Sequence, residues 1–504
     1  MTAPRADRVI VIGAGPTGLA LAAELALADV QCLVLERRAG PRTDSRAICL
    51  HARSMESLDL RGLAQLFADA GLAVPTFPLG PRGAKIDFRY LDSAFPYLLD
   101  IPQSQIERLL LARAIELGAE VRWGATVTDV MPDDDGVSVS IAGGSVGSDG
   151  QQASATLERA SYLVGCDGVH SLARERAGLS FPGIANPGSV SLADLYLSGL
   201  PMDSAYGDMS NAGMLLVFPF KDGSCRVVLY DYARADADVT EPVTLAEIAG
   251  GLRRVTGRDL GPHDMYWSAR YRSESRQAPS YRSGRILLAG DAAHAHSPAG
   301  AQGLNTGLQD AINLGWKLAA EMSGRGPKWL LESYQAERHP VGAAVLALTG
   351  RQFRLNTARA PSRRALRWAL RHLVVPLPPV QARLARDYSG ISIGYPAAAN
   401  CDHPMAGRRL PPGAAELADG TTARLYDLLR DGRFVLLVDP ADPANLDDGL
   451  PAQVRIVGGR VAGLPPAVLV RPDGYIAWAS DERRLFARAA AASRAARLWC
   501  GPRE

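Results

Sequence analysis

Three sets of residues in this chain are spaced so that together they could hold a long, polyhydroxylated dinucleotide. They are the glycines Gly13, Gly15 and Gly18, the carboxylate of Glu36, and the carboxylate of Asp291. A Gly-x-Gly-x-x-Gly turn permits a tight bend, close approach of backbone to a pyrophosphate, and close packing of helix on strand. An acid ending the next strand accepts ribose hydroxyls and disfavours a 2′-phosphate, so FAD or NAD fits this turn better than NADP. Asp291 lies far downstream, in Gly290-Asp291-Ala292-Ala293-His294, and marks where the other end of a long cofactor would lie. A glycine-rich loop without a ligand would leave the register of strand, turn, helix, strand and acid unexplained.

The elements that must position these groups are legible around them. Arg8-Val9-Ile10-Val11-Ile12 reads as a strand, and Leu19 to Leu25, entered through Pro16 and Thr17, as an Ala/Leu-rich helix whose first amides can seat phosphate. Gln31 to Leu35 reads as the strand that ends at Glu36. Tyr162-Leu163-Val164-Gly165 leads into Cys166-Asp167-Gly168, and Val169 to Arg174 opens a helix. Asp167 there is equally a turn former or a ligand contact. Arg285 to Ala289 is another strand, followed by Ser297-Pro298-Ala299-Gly300-Ala301-Gln302-Gly303-Leu304-Asn305 and a helix running from Thr306 through Leu318. Its start near Leu304 and Asn305 would aim free amides, and the positive end of the helix dipole, at developing negative charge.

The glycine turn, the Asp-Gly segment and the Gly-Asp segment, in this order, resemble the three fingerprints of the flavin-dependent aromatic hydroxylases. These are the group A monooxygenases of the p-hydroxybenzoate hydroxylase fold. Asn305, Asp310, Asn313, Leu314, Trp316, Lys317 and Leu318 also match the family's following helix. The resemblance covers at least residues 8 to 350. Within the family the chain is similar to bacterial hydroxylases that tailor aromatic polyketides such as angucyclines and anthracyclines. It implies an FAD cofactor, NADPH or NADH as a transient co-substrate, and O2. In that chemistry dioxygen adds to the reduced flavin to give a C4a-hydroperoxide, whose distal oxygen goes to an electron-rich ring carbon.

The resemblance also implies roles for single residues. Gly13, Gly15, Pro16, Thr17 and Gly18 would serve the pyrophosphate, with Glu36 and Arg37 at the adenosine end. Arg46 would meet the pyrophosphate, Gln103 the ribityl chain, and the Val127 backbone the adenine. Asp167 would contact flavin and nicotinamide or serve structure alone. Asp291 would hold ribityl hydroxyls, and Gly303, Leu304 and Asn305 the flavin pyrimidine edge. The Pro298 carbonyl would face the hydroxylation centre. Arg53 and Glu56 match the family pattern, and an ion pair on a helix surface explains them equally. His294 is read as structural, holding its loop. Ala301 departs from the family, which commonly has a second glycine before Gln302.

Composition bounds the remainder. A chain of 504 residues with 47% hydrophobic content can fill two or three cores. The net charge of +2 gives no footprint for nucleic acid, and the four lysines are outnumbered by scattered arginines. Six cysteines show neither CxxC nor metal-ligand spacing, as expected of free thiols in a reducing cytoplasm. No secretory signal is read at the N-terminus and no apolar run is long enough for a membrane span.

The expected fold is α/β, with three parts. A discontinuous Rossmann-like FAD-binding domain takes residues 1–74, 102–180 and 277–360. A mixed-sheet substrate domain takes 75–101 and 181–276, including strands at Met214 to Phe220 and Cys225 to Tyr230. A helical linker, 361–406, leads to a thioredoxin-like C-terminal domain, 407–504, with a helix at Leu425 to Leu429, a strand at Phe434 to Val438, and a hairpin from Ala467 to Trp478. Lacking paired cysteines, that domain is expected to support the structure or a homodimer, without dithiol chemistry.

The functional expectation is an FAD-dependent, NAD(P)H-consuming monooxygenase that hydroxylates a phenolic polycyclic polyketide. Baeyer–Villiger insertion into a polyketide ketone, and a non-catalytic FAD-binding scaffold, are the alternatives. Flavin halogenation lacks its Trp-x-Trp-x-Ile-Pro motif, and the long C-terminal unit sets the chain apart from ubiquinone-pathway hydroxylases. Tyr230 and Asp231 are candidate bases on the substrate sheet, although strand packing explains their alternation as well.

Overall fold

The computed structural model of the protein describes residues 7–43, 45, 47–79, 85–142, 156–296, 300–357, 361–398, 401–441, 446 and 450–501. Its first sheet has the order Arg282–Ser283, Ile286–Leu288, Tyr162–Gly165, Arg8–Ile12, Gln31–Glu36, Glu120–Trp123. All neighbours pair in parallel except the edge strand Arg282–Ser283. Its central strands are continuous apolar runs because both faces are covered: Val9, Ile10, Val11, Leu163, Val164, Leu287 and Leu288 are fully buried.

Two helices on this sheet build the nucleotide end. The phosphate helix, Pro16–Leu27, and a longer helix, Gln302–Met322 (the ring helix below), meet through glycines. A methyl on Gly307 would lie 2.3 Å from Thr17 Oγ1, and one on Gly315 would lie 2.4 Å from Glu24 Cβ. Only glycine permits that approach. The ring helix begins at Gln302, earlier than its apolar periodicity suggests, because Ala301 turns left-handed (φ 51°) and closes the preceding loop.

The second large sheet is antiparallel throughout, in the order Tyr206–Met209, Gly213–Pro219, Cys225–Asp231, Gly183–Leu197, Pro262–Gln277, His294–Ala295. One face packs on the helix Leu245–Thr256 through Ala193, Leu195, Val217, Val227, Ile248 and Leu252. That helix is well stopped at both ends. Thr244 Oγ1 accepts the Glu247 amide, and Gly257 takes the left-handed conformation (φ 71°) at the C-terminus. The opposite face carries Val190, Leu192, Met214, Leu216, Phe218 and Val228, and forms one apolar cluster with Phe77, Ile86, Phe88, Leu98 and Tyr388. A small sheet, Cys49–Leu50, Leu98–Asp100 and Leu72–Val74, lies between the two regions.

Helices Pro361–Ala369 and Pro378–Ser389, joined by a π-turn at Leu370–Val374, lead to the C-terminal unit. That unit is a mixed sheet, ordered Thr422–Arg424, Ala414–Leu417, Val454–Arg460, Phe434–Val438, Ala467–Val470, Ile476–Ser480, with the helix Leu485–Cys500 against it. Residues Tyr426–Leu429 make only a 3-10 turn where the sequence suggested a helix. All six cysteines are free and none sits beside another as CxxC. Among the described residues no helix is long and apolar enough to cross a membrane, and no cluster of side chains could hold a metal ion.

Candidate functional site

The glycine turn forms where the first strand crosses the end of Tyr162–Gly165. Gly13 has φ 104°, and a Cβ there would lie 2.5 Å from the Cys166 carbonyl. A Cβ on Gly18 would lie 2.0 Å from the Gly13 carbonyl. Gly15 is different: its Cβ would meet nothing within 4 Å. It caps the phosphate helix, with Pro16 as the first helical residue and no side chain bonded to the first-turn amides. Open backbone at the positive end of a helix is what a pyrophosphate requires. Thr17 packs its hydroxyl between Gly290 and Gly307, so it spaces the turn, the Gly-Asp segment and the ring helix.

Glu36 is buried, and both its oxygens already accept protein donors: the Ala14 amide at 2.8 Å and the Arg38 amide at 3.0 Å. Burial by itself would raise its pKa, but the Arg38 side chain and these two amides hold it below the usual carboxylate range. It is therefore an ionised acceptor, with lone pairs left for a ribose hydroxyl. Arg37 is exposed; its neighbour Arg38, not singled out by sequence, turns inward onto Glu36, Glu107 and the Ala14 carbonyl. Gln103 accepts the Ala47 amide (2.9 Å) and donates to Glu107 (2.8 Å), so it ties the loop Ser45–Ala47 to the nucleotide end. Arg46 lies outside the described residues. Val127, half buried, follows Ala125, whose amide donates to the Glu36 carbonyl at 2.9 Å.

Asp167 accepts the Ala173 amide at 3.1 Å and so caps the short helix Leu172–Arg176. Its other oxygen is buried beside Gly165, without a hydrogen-bond partner among the described residues, and burial raises its pKa despite the donors of Ser171 and Ala173. Asp291 is exposed, on a 3-10 turn, and its Oδ1 lies 3.9 Å from where a Gly303 Cβ would stand. The turn is held from behind by a buried group that sequence reasoning only partly caught. Asp310 accepts the Gly290 amide (3.1 Å), His294 Nε2 (2.6 Å) and Arg338 Nε (2.7 Å). Burial alone would raise the Asp310 pKa, but Arg338 and His294 hold it at about 2. His294 thus serves the turn. The missed partner, Arg338, lies beside a second buried charge, Glu337, and carried no local signal.

The ring helix presents its first turn beside Asp291 with no side-chain cap. Gly303 and Leu304 lie in that turn. Asn305 is there too, but its side chain is committed to protein: it accepts the His51 amide (2.8 Å) and donates to the Cys49 and Ala301 carbonyls. Asn305 therefore staples the helix to the strand Cys49–Leu50. His51 in turn bonds the Gly300 carbonyl at 3.0 Å, and Pro298 lies outside the described residues.

Two further expectations are corrected. Arg53 and Glu56 are not on a helix surface: both are buried, 3.2 Å apart, and Arg53 donates to the Asp473 carbonyl of the C-terminal unit. Asp231 does not lie on the inner face of the sheet. It pairs with Arg254 of the helix on the outer face, whereas Tyr230 stays on the inner face. On that inner face Arg226 makes a two-pronged pair with Asp194, stacks on Trp267 at 4.4 Å, and donates to the Ser45 carbonyl at 2.7 Å.

The open Gly15 backbone, the ionised Glu36, the unpartnered Asp167 oxygen and the uncapped ring helix suit FAD in both chemistry and order along the chain. Residues 7–349 match the FAD binding domain family, and residues 403–502 match the aromatic-ring hydroxylase C-terminal family. The chain is 40% identical, over 491 residues, to a 12-dehydrotetracycline 5-monooxygenase/anhydrotetracycline 6-monooxygenase of Streptomyces rimosus subsp. rimosus, covering 93% of this chain and 94% of that one. It superposes on the solved anhydrotetracycline hydroxylase OxyS from Streptomyces rimosus with a TM-score of 0.82, at 38% identity and 99% coverage of each chain. It is also 36% identical to the dialkyldecalin synthase of Streptomyces rugosporus, over 98% of this chain and 99% of that one.

Proposed function

We infer that this chain, which belongs to the FAD-binding aromatic-ring hydroxylase family, is an FAD-dependent monooxygenase that places one oxygen atom on a fused-ring aromatic substrate of polyketide type. The observation that carries the substrate class is the inner face of the antiparallel sheet. Val190, Leu192, Met214, Leu216, Phe218 and Val228 make it apolar, and Ala301, at the N-terminus of the ring helix, packs against the same cluster. A flat polycycle is the ligand such a wall suits.

FAD, when bound, supplies the electron transfer and the oxygen chemistry. The chain supplies the rest. The amides after Gly15 would seat the pyrophosphate, and Glu36 the ribose. Gln103 and Asp291 would orient the sugar-alcohol chain, and the first turn of the ring helix would hold the pyrimidine edge and favour negative charge there. By the family resemblance, Arg46 would meet the pyrophosphate and the Pro298 carbonyl would face the reacting carbon. The apolar chamber excludes water from the ring that reacts. NADPH or NADH would visit transiently, since no second dinucleotide turn is present in the sequence. On this reading segments 1–74, 102–180 and 277–360 serve the cofactor, and segments 75–101 and 181–276 serve the substrate.

The test is NADPH consumption by the FAD-loaded protein with and without anhydrotetracycline, followed by NMR of the product. Substrate-accelerated consumption with an added hydroxyl supports the reading, and an expanded ring indicates oxygen insertion instead. A second reading rests on the relative that is named a synthase and not a monooxygenase. Tight FAD without substrate-accelerated NADPH or NADH consumption, across a panel of polycyclic phenols, favours that one.

A further inference from the structure

We propose that the hydroxyl of Tyr271 is the hydrogen-bond donor that receives an oxygen substituent of the substrate, and so selects oxygenated ring systems over bare ones. The proposal rests on the reading of the inner sheet face as the substrate wall.

Register places Tyr271 on that face. It pairs with Val190, two residues before Leu192 on the same strand, and both of those residues belong to the chamber cluster against which Tyr271 packs. The charged pair on the face is accounted for. Arg226 and Asp194 satisfy one another, and the remaining Arg226 reach goes to Ser45. Across the chamber, the Tyr388 hydroxyl donates to Gln352. The Tyr271 hydroxyl, by contrast, is fully buried and has no hydrogen-bond partner among the described residues.

An unpartnered buried hydroxyl is costly, and a phenylalanine would fill the same space without that cost. A partner that arrives with the substrate removes the difficulty. Burial raises the pKa of this phenol, with nearby Arg226 opposing the shift only partly, so at neutral pH the group is a neutral donor. It therefore suits an acceptor oxygen on the ring system, a phenolate or a keto oxygen. A site built around such a donor also rejects an analogue that lacks the oxygen.

The experiment compares 2-hydroxyanthracene with 2-methylanthracene, near-isosteric probes, binding to the full-length FAD-loaded protein and to its Tyr271→Phe variant, read by ligand fluorescence. Wild type is expected to bind the hydroxylated probe about tenfold more tightly than the methylated one, the difference of one good hydrogen bond. Tyr271→Phe should bring the two within about twofold by weakening only the hydroxylated probe. Its Tm should equal or exceed that of wild type, which a hydroxyl with a structural role would not allow. An unchanged preference, an equal loss for both probes, or a lowered Tm overturns the role of Tyr271 while leaving the aromatic chamber in place. If wild type binds neither probe, the chamber reading itself fails and takes the proposal with it.

Discussion

The nucleotide-binding region meets its two neighbours with different shares of buried charge. Toward the C-terminal unit the contact joins an apolar cluster, in which Trp316 and Leu330 pack with Phe434 and Trp499, to a buried network of charges. Arg471 spans both Glu337 oxygens at 2.8 Å and also pairs with Asp473; Lys317 and Asn313 donate to the same Glu337. Arg61 holds Glu24 with two bonds and donates to the carbonyls of Leu429 and Pro472. Toward the antiparallel sheet the contact is the apolar cluster of its inner face, with Arg226 to Ser45 as a polar tie and backbone pairing of Pro262–Gln277 with His294–Ala295 at the edge. Buried ions cannot be parted without leaving uncompensated charge, whereas apolar surfaces separate and rejoin without that penalty. The C-terminal unit is thus bolted on by buried charge, whereas the inner face of the antiparallel sheet meets its neighbours chiefly through apolar contact.

The largest effect should come from the bolted side. Arg471→Ala leaves Glu337 and Asp473 buried without their cation and should cost about 3–5 kcal/mol, seen in urea unfolding of the FAD-loaded protein. A loss below about 1 kcal/mol would mean that the network is wet and the contrast between the interfaces is wrong.

Asp310→Asn should come next. It weakens the carboxylate that holds Gly290, His294 and Arg338, so the Asp291 turn loosens. A cost of about 2–3 kcal/mol to FAD binding is expected, or roughly a 30- to 150-fold rise in Kd by titration.

The two interfaces should also part company with pH. Burial alone would raise Glu337 and Asp310, but their cationic partners hold both at about 2. A depressed carboxylate contributes stability that is complete above its unfolded pKa and is lost as pH falls through its folded one. Stability from these two groups should therefore fade between about pH 4.5 and pH 2. Asp100, in the small sheet beside the chamber, behaves in the opposite sense. Neither of its oxygens has a hydrogen-bond partner among the described residues, and burial holds it well above its usual range. Its contribution is greatest below the unfolded pKa and is lost as pH rises through the folded one. Asp100→Leu should accordingly raise neutral-pH stability by about 1 kcal/mol and remove that component of the pH profile.

Ala301→Gly should give the smallest change. Relief of the left-handed alanine is worth about 1–2 kcal/mol, partly offset by the freedom glycine has when unfolded. A net rise in Tm of a few degrees at most is expected. A fall would show that the methyl contact with the chamber cluster outweighs the strain.

What could be read from the chain alone was local. The glycine turn, Glu36, the strand before Asp291 and the alternating strands of the second sheet each declare themselves within a short window of residues. The supports did not. Arg61 meets Glu24 and Pro472, and Glu337 meets Arg471, across separations for which no periodicity exists. Arg38 could not be preferred to Arg37, because only the turn after Glu36 decides which of them faces inward. Asp231 was misplaced by one step of strand alternation, which sends a side chain to the opposite face. The ring helix start was read late because the sequence does not disclose that Ala301 is left-handed.

The most direct test of the central claim is the origin of the added oxygen. FAD-loaded protein, NADPH and a polycyclic phenol such as anhydrotetracycline would be turned over under 18O2 and the products weighed by mass spectrometry. Monooxygenation predicts one 18O atom in the product for each NADPH consumed productively. NADPH consumption that the aromatic compound fails to accelerate, with no label in any product, would contradict it.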